Sequence, residues 1–427
     1  MLSKYQIVVL SIGLFVINLA HAVEPNEIQR KDTINLYDAV SRSNAHHPAL
    51  EALNFELSAQ RADAELAGLR KSPNVTFEIE DVAGTGNHKN LDAAQATLGI
   101  AWLVEGSIRQ GHQSFANAKT HSVLAEINVK KLDIASETAR LYLYCLANQT
   151  RLKMTEQSVL LANKTVKEIK KRLRAGKTAD VELARAQAEV ARRKLDAEDV
   201  EHELMSSYRL LAAQWGETKP GFSRVSGDLF TLSRPIAFDV LEQRMNDNPE
   251  FIRLFSERNV KQAELELEKS KSSAPWEVKF GVRHYEASQD QALVAGISIP
   301  FGERSRNKAG IVRAQERVSE LDAREKALQV KFKTELYVLY QEYLHSLHRM
   351  NAYRDEIIPK LELALKKTRR AYQLGRYSFL EWQSVQSDLF EAQADLLESS
   401  VDAHLKMIQI ERLTGVQITP SNIDMKF

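Results

Sequence analysis

Apolar positions along this chain follow two periods. In four short stretches they alternate with polar ones: Val75, Phe77 and Ile79 with Thr76, Glu78 and Glu80; Leu98, Ile100 and Trp102 with Thr97, Gly99 and Ala101. The same holds for Trp276, Val278, Phe280 and Val282 against Glu277, Lys279, Gly281 and Arg283, and for Leu293, Ala295, Ile297 and Ile299 against Val294, Gly296 and Ser298. Period-two alternation predicts strands with one apolar face, near 74–80, 96–104, 276–286 and 292–300. Elsewhere the spacing is three and four: Val181, Ala184, Ala188, Ala191 and Leu195, and again Val385, Leu389, Ala392, Leu396, Ser399 and Ala403. Such stripes predict heptad seams between helices, with small residues permitting close approach.

Helix breakers set the length of these helices. Between Gly111 and Pro220 the only glycines are Gly176 and Gly216, with no proline; between Gly310 and Pro420 they are Gly375 and Gly415, with a single Pro359. A 65-residue helix would run roughly 100 Å at 1.5 Å per residue, beyond the size of a compact domain. The breakers also repeat. Gly111, Gly176 and Gly216 recur at Gly310, Gly375 and Gly415, each shifted by 199, while Pro48 and Pro73 recur as Pro249 and Pro275. Ala175-Gly176-Lys177 with Val181-Glu182 and Gln187 matches Leu374-Gly375-Arg376 with Leu380-Glu381 and Gln386. The chain is read as a tandem duplication: 23–235 and 236–427, each running helix, strand pair, long helix, tight turn near 176 or 375, and long helix.

Residues 1–22 are expected to be a removable signal peptide. Lys4 is followed by the apolar run Ile7 to Ala20 and by Ala20-His21-Ala22, a small-x-small cleavage site, and the run is too short to span a bilayer. Loss of Lys4 takes the formal net charge from +1 to 0, which argues against a nucleic-acid partner. No later segment approaches 18 consecutive apolar residues, so membrane contact would fall to the strands. Cys145 is the single cysteine and reads as a buried small hydrophobe. Four alternating strands fit either a half-buried soluble sheet or membrane-barrel strands; as the latter they are too few to close alone, and three chains would supply twelve.

Chemistry is sparse. His46-His47 and the scattered histidines lack metal-ligand spacing, and the seven methionines do not cluster. No phosphate-binding glycine loop or nucleophile elbow is present. The expectation is a protein that is not an enzyme and carries no catalytic residues, no bound metal and no cofactor.

The order of elements, with the residues that carry it, resembles the TolC family of bacterial outer-membrane efflux proteins over nearly all of the mature chain. The marks are Asn248-Pro249-Glu250, with the blunter His47-Pro48-Ala49; Ile299-Pro300-Phe301-Gly302 between strand and long helix; the tips at Gly176 and Gly375; and Leu413-Thr414-Gly415. Ser72-Pro73-Asn74-Val75, Glu78, Glu80, Gly84-Thr85-Gly86, Gly281-Val282-Arg283, Glu286, Asp290 and Gly296-Ile297-Ser298-Ile299-Pro300 are similar to the branch serving heavy-metal cation pumps, of the CzcC kind. Leu103-Val104-Glu105-Gly106 departs from the Pro-Phe-Gly turn, so that corner is expected to differ in shape. Terminal Phe427 resembles the last residue of many outer-membrane barrels.

The resemblance implies a mainly α fold with a small β part. Long antiparallel helical hairpins would form an α-barrel, and four transmembrane strands per chain would complete a trimeric β-barrel. It implies a homotrimer in outer-membrane lipid with a long periplasmic extension, joined through a periplasmic adaptor to an inner-membrane pump of the RND (resistance-nodulation-division) type. Heavy-metal cations are the implied cargo; drug efflux or type I secretion is the alternative, and a periplasmic coiled-coil structural or adaptor protein the non-membrane one. The lipid-facing residues would be Phe77, Ile79, Ile100, Trp102, Trp276, Val278, Phe280, Ile297 and Ile299. The turns at Gly176, Lys177, Gly375 and Arg376 would dock the adaptor. By the same resemblance Glu381 would ring the periplasmic aperture and Glu182 would bond Tyr372 as a latch. A further latch position, basic in some members, is Tyr377 here.

Overall fold

The computed structural model describes residues 32–232, 234–273, 275–300 and 307–415. The expected signal peptide, Phe301-Gly302 and Phe427 lie outside the described residues. A two-residue strand β1 (Thr33–Ile34) leads into α1 (Leu36–His46) and α2 (Pro48–Gly68), then β2 (Asn74–Glu80) and β3 (Gln95–Val104). The first hairpin is α3 (Ser107–Arg174) and α4 (Asp180–Ala213), followed by β4 (Arg224–Val225). The second half runs α5 (Phe238–Met245), α6 (Pro249–Ser270), β5 (Trp276–Tyr285), β6 (Asp290–Ser298), α7 (Lys308–Ala352), α8 (Ile358–Gln373) and α9 (Phe379–Thr414).

Helix ends explain the repeated motifs. Asn248 and His47 are equivalent N-caps: Asn248 Oδ1 accepts from the Glu250 amide at 2.8 Å, and His47 Nδ1 from the Ala49 amide at 3.1 Å. Each is followed by a proline whose missing N–H costs nothing in the first turn. At both hairpin turns the glycine takes positive φ, +63° at Gly176 and +73° at Gly375. The amides that follow return to the preceding helix: Gly176 N to Leu173 O and Lys177 N to Arg172 O, Gly375 N to Tyr372 O and Arg376 N to Ala371 O, all 2.9 to 3.0 Å. These double closures satisfy carbonyls the helix would otherwise leave bare, and the second bond is why a residue with an amide must follow each glycine.

The Asn-Pro-Glu and Leu-Thr-Gly marks form one joint. Asn248 Nδ2 donates to the carbonyls of Arg412 and Leu413 at 2.7 and 2.9 Å, tying the start of α6 to the end of α9. Gly415 closes α9 at φ +69°, and a Cβ there would stand 2.9 Å from Asn248 Cα. The equivalent joint in the first half is looser: Gly216 has φ +80°, but a Cβ would meet only Pro48 Cγ at 3.8 Å and His46 O at 3.9 Å.

Two features depart from the sequence pattern. The long helix of the second half is interrupted: Tyr353–Ile357 forms a π-helical segment between α7 and α8, whereas α3 runs 68 residues unbroken. Pro359 has no amide for the carbonyl four residues back and its ring crowds that carbonyl, so the ladder widens just ahead of it. Tyr353 on this segment donates to Asp395 of α9 at 2.8 Å. Secondly, the stripe Val181, Ala184, Ala188, Ala191 and Leu195 is exposed in the single chain, with Val181 57% and Leu195 61% exposed. Helix α4 buries Ala186, Val200, Leu204, Ser207 and Tyr208 instead. Its counterpart on α9 does bury Leu389, Ala392, Ser399 and Ala403. The difference follows from neighbours: α9 packs on α7, α8 and α3, while α4 packs chiefly on α3.

The main core sits where β1, β4 and α1 cover the middle of the first hairpin, around Ile34, Tyr142, Cys145, Leu211, Trp215 and Val225. Thr33 and Ile34 pair in parallel with Arg224 and Val225. Gln149 bridges this ribbon to α4: its amide donates to Val225 O at 2.9 Å, and its carbonyl accepts from Val225 N at 2.7 Å and Tyr208 Oη at 2.6 Å. A second core joins α5, α7 and α9 around Met245, Leu336 and Ala403.

Candidate duct: one sheet and a hairpin tip cluster

The four longer strands form one antiparallel sheet in the order β2-β3-β5-β6, so the two halves meet at β3 and β5. Strand β3 starts at Gln95, one residue before the expected boundary, and β6 ends at Ser298, two residues before it. Ile299 therefore lies just beyond the strand rather than in it. It precedes Pro300, which has no amide to continue a ladder and biases the residue before it away from regular pairing.

Register places the apolar residues on one face. Phe77 faces Leu98, and Leu98 faces Val282; Val75, Ile100, Phe280 and Ala295 form the next row; Trp102, Val278 and Ile297 the one after, with Trp276 opposite Val104. Ile79 extends the face beside Ala96. In the single chain this face is open: Phe77 is 66% exposed, Phe280 53%, Ile297 68% and Leu293 89%. Trp102 and Phe280 meet edge to face with ring centroids 6.3 Å apart. The opposite face is mostly polar or small, with Leu103 and Val294 among its apolar members. Arg283 spans three strands there, donating to Thr97 Oγ1 and Gln95 Oε1 at 2.9 Å and to Glu80 Oε2 at 2.6 Å. Gly99 opposes Gly281 on the same face, and a Cβ on Gly281 would stand 2.8 Å from Leu98 O. Among the described residues neither outer edge, of β2 or of β6, has a strand partner.

At the first strand-to-helix corner, Gly106 caps α3 at φ +55° and Glu105 pairs with Lys71 at 3.4 Å. The corner is thus built on a glycine and an ion pair.

The two hairpin ends lie together. Ile169, Ala186, Tyr372, Phe379 and Trp382 form a buried cluster drawn from α3, α4, α8 and α9. Tyr372 is 2% exposed and stacks beside Trp382, with centroids 5.2 Å apart. Its hydroxyl donates to Glu182 Oε2 at 3.0 Å, joining the second half to the first. Thr178 Oγ1 donates to the same oxygen. Burial, together with the bond to Glu182, raises the Tyr372 phenol above its ordinary range, so it stays protonated and able to donate.

Glu381 is not part of this contact. Its carboxylate accepts from the Ser378 amide at 2.7 Å and hydroxyl at 2.9 Å, and its amide approaches Ser378 Oγ at 3.3 Å, the reciprocal box that starts α9. Those bonds hold the carboxyl below its usual range, so it is ionised and exposed. Tyr377 is 48% exposed.

Arg172 supplies a cation here that sequence reasoning missed. Its guanidinium lies 4.5 Å from the Tyr372 ring centre, and it donates to Gln373 O at 2.9 Å and Lys177 O at 3.4 Å, one bond to each hairpin turn. Glu168 adds a tie to α8, pairing with Arg369 at 3.1 Å and accepting from Gln373. A signal existed: Arg172 falls on the stripe Ala162, Thr165 and Ile169, the inward face of α3, where a cation needs a partner.

Among the described residues no helix is long and apolar enough to cross a membrane. No group of histidine, cysteine or acidic side chains there is placed to hold a metal ion.

Residues 39–217 match the family model described as outer membrane efflux protein. The chain is 22% identical over 370 residues to the cobalt-zinc-cadmium resistance protein CzcC of Cupriavidus metallidurans, covering 85% of this chain and 87% of that one. It is 24% identical over 292 residues to the nickel-cobalt-cadmium resistance protein NccC of Alcaligenes xylosoxydans, covering 67% and 64%. A solved structure of CusC superposes with a TM-score of 0.74 at 14% identity, covering 92% of this chain and 95% of that one. VceC of Vibrio cholerae superposes with a TM-score of 0.69 at 15% identity, covering 89% and 96%. The match over residues 39–217 and the shared fold make this chain similar to the outer membrane efflux proteins, channels seated in the bacterial outer membrane with a long helical extension into the periplasm.

Proposed function

We propose that this chain forms, as a trimer, the outer-membrane duct of a tripartite system exporting heavy-metal cations. The observation that carries the reading is the four-stranded sheet with one continuous apolar face and two unpaired edges. Unpaired backbone is untenable in hydrocarbon, so a sheet presenting this face to lipid must close against other copies. Joining β6 of one copy to β2 of the next would give twelve strands, with Arg283 and its partners facing the lumen. The exposed heptad stripe on α4 supports the same assembly, because an unburied seam of small residues calls for a neighbouring helix. A soluble coiled-coil or adaptor protein has no use for such an apolar sheet face.

In this reading Phe77, Ile79, Ile100, Trp102, Trp276, Val278, Phe280 and Ile297 meet lipid, and Ile299 borders them. The turns at Gly176, Lys177, Gly375 and Arg376 meet the periplasmic adaptor, which links the duct to an inner-membrane pump of the RND type. Tyr372 and Glu182 latch the hairpins, and three copies of Glu381 set a negative rim at the aperture. Metal as cargo rests on the resistance proteins to which the chain is similar.

Deleting the gene and measuring growth on graded cobalt, zinc, cadmium and nickel tests the cargo. Sensitivity to one or more of them, restored by the intact gene, is expected. Unchanged metal tolerance with new sensitivity to drugs, or with loss of a secreted protein, would replace the cargo while keeping the duct. Glu381→Gln preserves the helix-capping box and should lower the cation preference of the reconstituted channel.

A further inference from the structure

The hairpin ends are strongly basic in a chain whose total charge is close to neutral. From Lys164 to Arg185 eight cations stand against three acids, and from Lys360 to Glu381 six stand against two. That excess of nine per chain compares with a formal net charge of +1 for the whole sequence. Lys164, Lys167, Lys171 and Arg174 step by three, four and three along α3, with Lys170 beside them, on the side opposite the buried Ala162, Thr165 and Ile169 and the half-buried Arg172. Lys167, Lys170, Lys171 and Arg174 line a shallow open groove. On α8, Lys366, Lys367 and Arg370 are exposed away from the buried Thr368 and Tyr372, and Arg376 is exposed in the turn.

Helix-dipole complementation accounts for only part of this. Cations stabilise a helix C-terminus only within its last turn. The α3 stripe extends back nearly three turns, about 15 Å, longer than the screening distance of about 8 Å at physiological salt. Among the described residues Arg369 of this group has an acid in reach, Glu168 at 3.1 Å; Lys164, Lys167, Lys170, Lys171, Arg174, Lys366, Lys367, Arg370 and Arg376 have no ion-pair partner. There is also a conflict to resolve. In a trimer these charges would crowd the entrance of a duct proposed for cations, outweigh the three Glu381 carboxylates there and, left bare, repel that cargo.

We infer that the basic stripes on the rising arms of both hairpins are a docking surface for an acidic segment of the periplasmic partner, whose carboxylates neutralise the rim as the complex assembles. This rests on the proposed tip docking and deepens it: the turns fix where the partner sits, and the stripes fix its charge and the rate at which it arrives. Assembly should therefore weaken steeply with ionic strength.

The test places a photo-crosslinking amino acid at Leu374, exposed beside the second turn, in the full-length chain in its own host's membranes. The crosslinked peptide is then identified by mass spectrometry. The expected capture is a net-negative segment of one periplasmic protein. Its yield should fall about tenfold or more when Lys167, Lys170, Lys171 and Arg174 are all changed to Glu, and by a like factor for the wild type between about 0.05 and about 0.5 M salt. A neutral or basic captured segment, or a yield indifferent to both charge reversal and salt, would overturn the inference and leave tip docking standing. No adduct in the wild type would overturn tip docking itself. If the fourfold variant fails to reach the outer membrane as a trimer, the salt series on the wild type decides alone.

Discussion

Tyr372→Phe removes one hydroxyl and leaves the ring on which Arg172 and Trp382 stack. The lost bond is the 3.0 Å contact to Glu182 that joins the two hairpins. A hydrogen bond to an ionised group contributes roughly 1.5–3 kcal/mol, and the low end applies because Thr178 still donates to the same carboxylate oxygen. At about 1.4 kcal/mol per decade, one latch of about 1.5 kcal/mol shifts a closed–open equilibrium about tenfold. If three copies open as a unit the effects add to about 4.5 kcal/mol, roughly a thousandfold. Single-channel recording of the variant in planar bilayers should therefore show resting open probability raised between these limits, with open conductance unchanged. Glu182→Gln, which keeps an acceptor but loses the charge, should fall between wild type and Tyr372→Phe, and the double variant should add little to Tyr372→Phe. A resting open probability within twofold of wild type would refute the latch and reduce Tyr372 to a core aromatic of the tip cluster.

The two helix joints give a paired stability prediction. Gly415→Ala adds a left-handed-region cost of roughly 1–2 kcal/mol to a collision with Asn248 backbone at 2.9 Å, about 3 kcal/mol together, whereas Gly216→Ala meets only contacts near 3.8 Å and should cost about 1 kcal/mol. Denaturant midpoints of the purified protein check the order, and equal losses would discount the joint. Leu293→Lys, at the most exposed position of the apolar face, should lower barrel stability by roughly 2–4 kcal/mol if it sits near the bilayer midplane, while Arg283→Lys on the other face should alter conductance more than stability. Burial lowers the pKa of His404 from 6.5; it is held neutral near Leu229 O at 3.1 Å. A depressed folded-state value for histidine means stability present above pH 6.5 and lost as pH falls below it, by up to about 1.4 kcal/mol per pH unit until the folded-state value is reached. Melting followed from pH 7.5 to pH 5.5 should show this slope, and His404→Gln should flatten it.

Much of the fold was legible because period and breakers agree. Alternation at Phe77, Leu98, Phe280 and Leu293 located all four strands of the main sheet, and Gly176 and Gly375 marked the turns because the double closure needs positive φ there. The π-helical segment was not: Pro359 was visible, but whether a proline ends a helix, kinks it or widens it depends on what packs beside it, here Asp395 holding Tyr353. The ribbon of β1 and β4 is two residues per strand, too short for any period to register. Heptad spacing found stripes on α4 and α9 alike but could not tell a seam closed within the chain from one left for a neighbour. Arg172 was missed for a related reason. Its role exists only when α3 and α8 lie side by side, since the ring it covers is two hundred residues away. Glu381 shows the opposite limit, where a position matched to a gate is first of all the third residue of a helix cap.

The central claim is that copies of this chain enclose a cation-conducting pore through a lipid bilayer. Planar-bilayer recording of the purified, detergent-extracted protein under a salt gradient tests it most directly. The account predicts discrete conductance steps from a trimer, with a reversal potential on the cation side that moves toward zero in Glu381→Gln. Folded protein that stays monomeric without detergent and adds no conductance to the bilayer would contradict it.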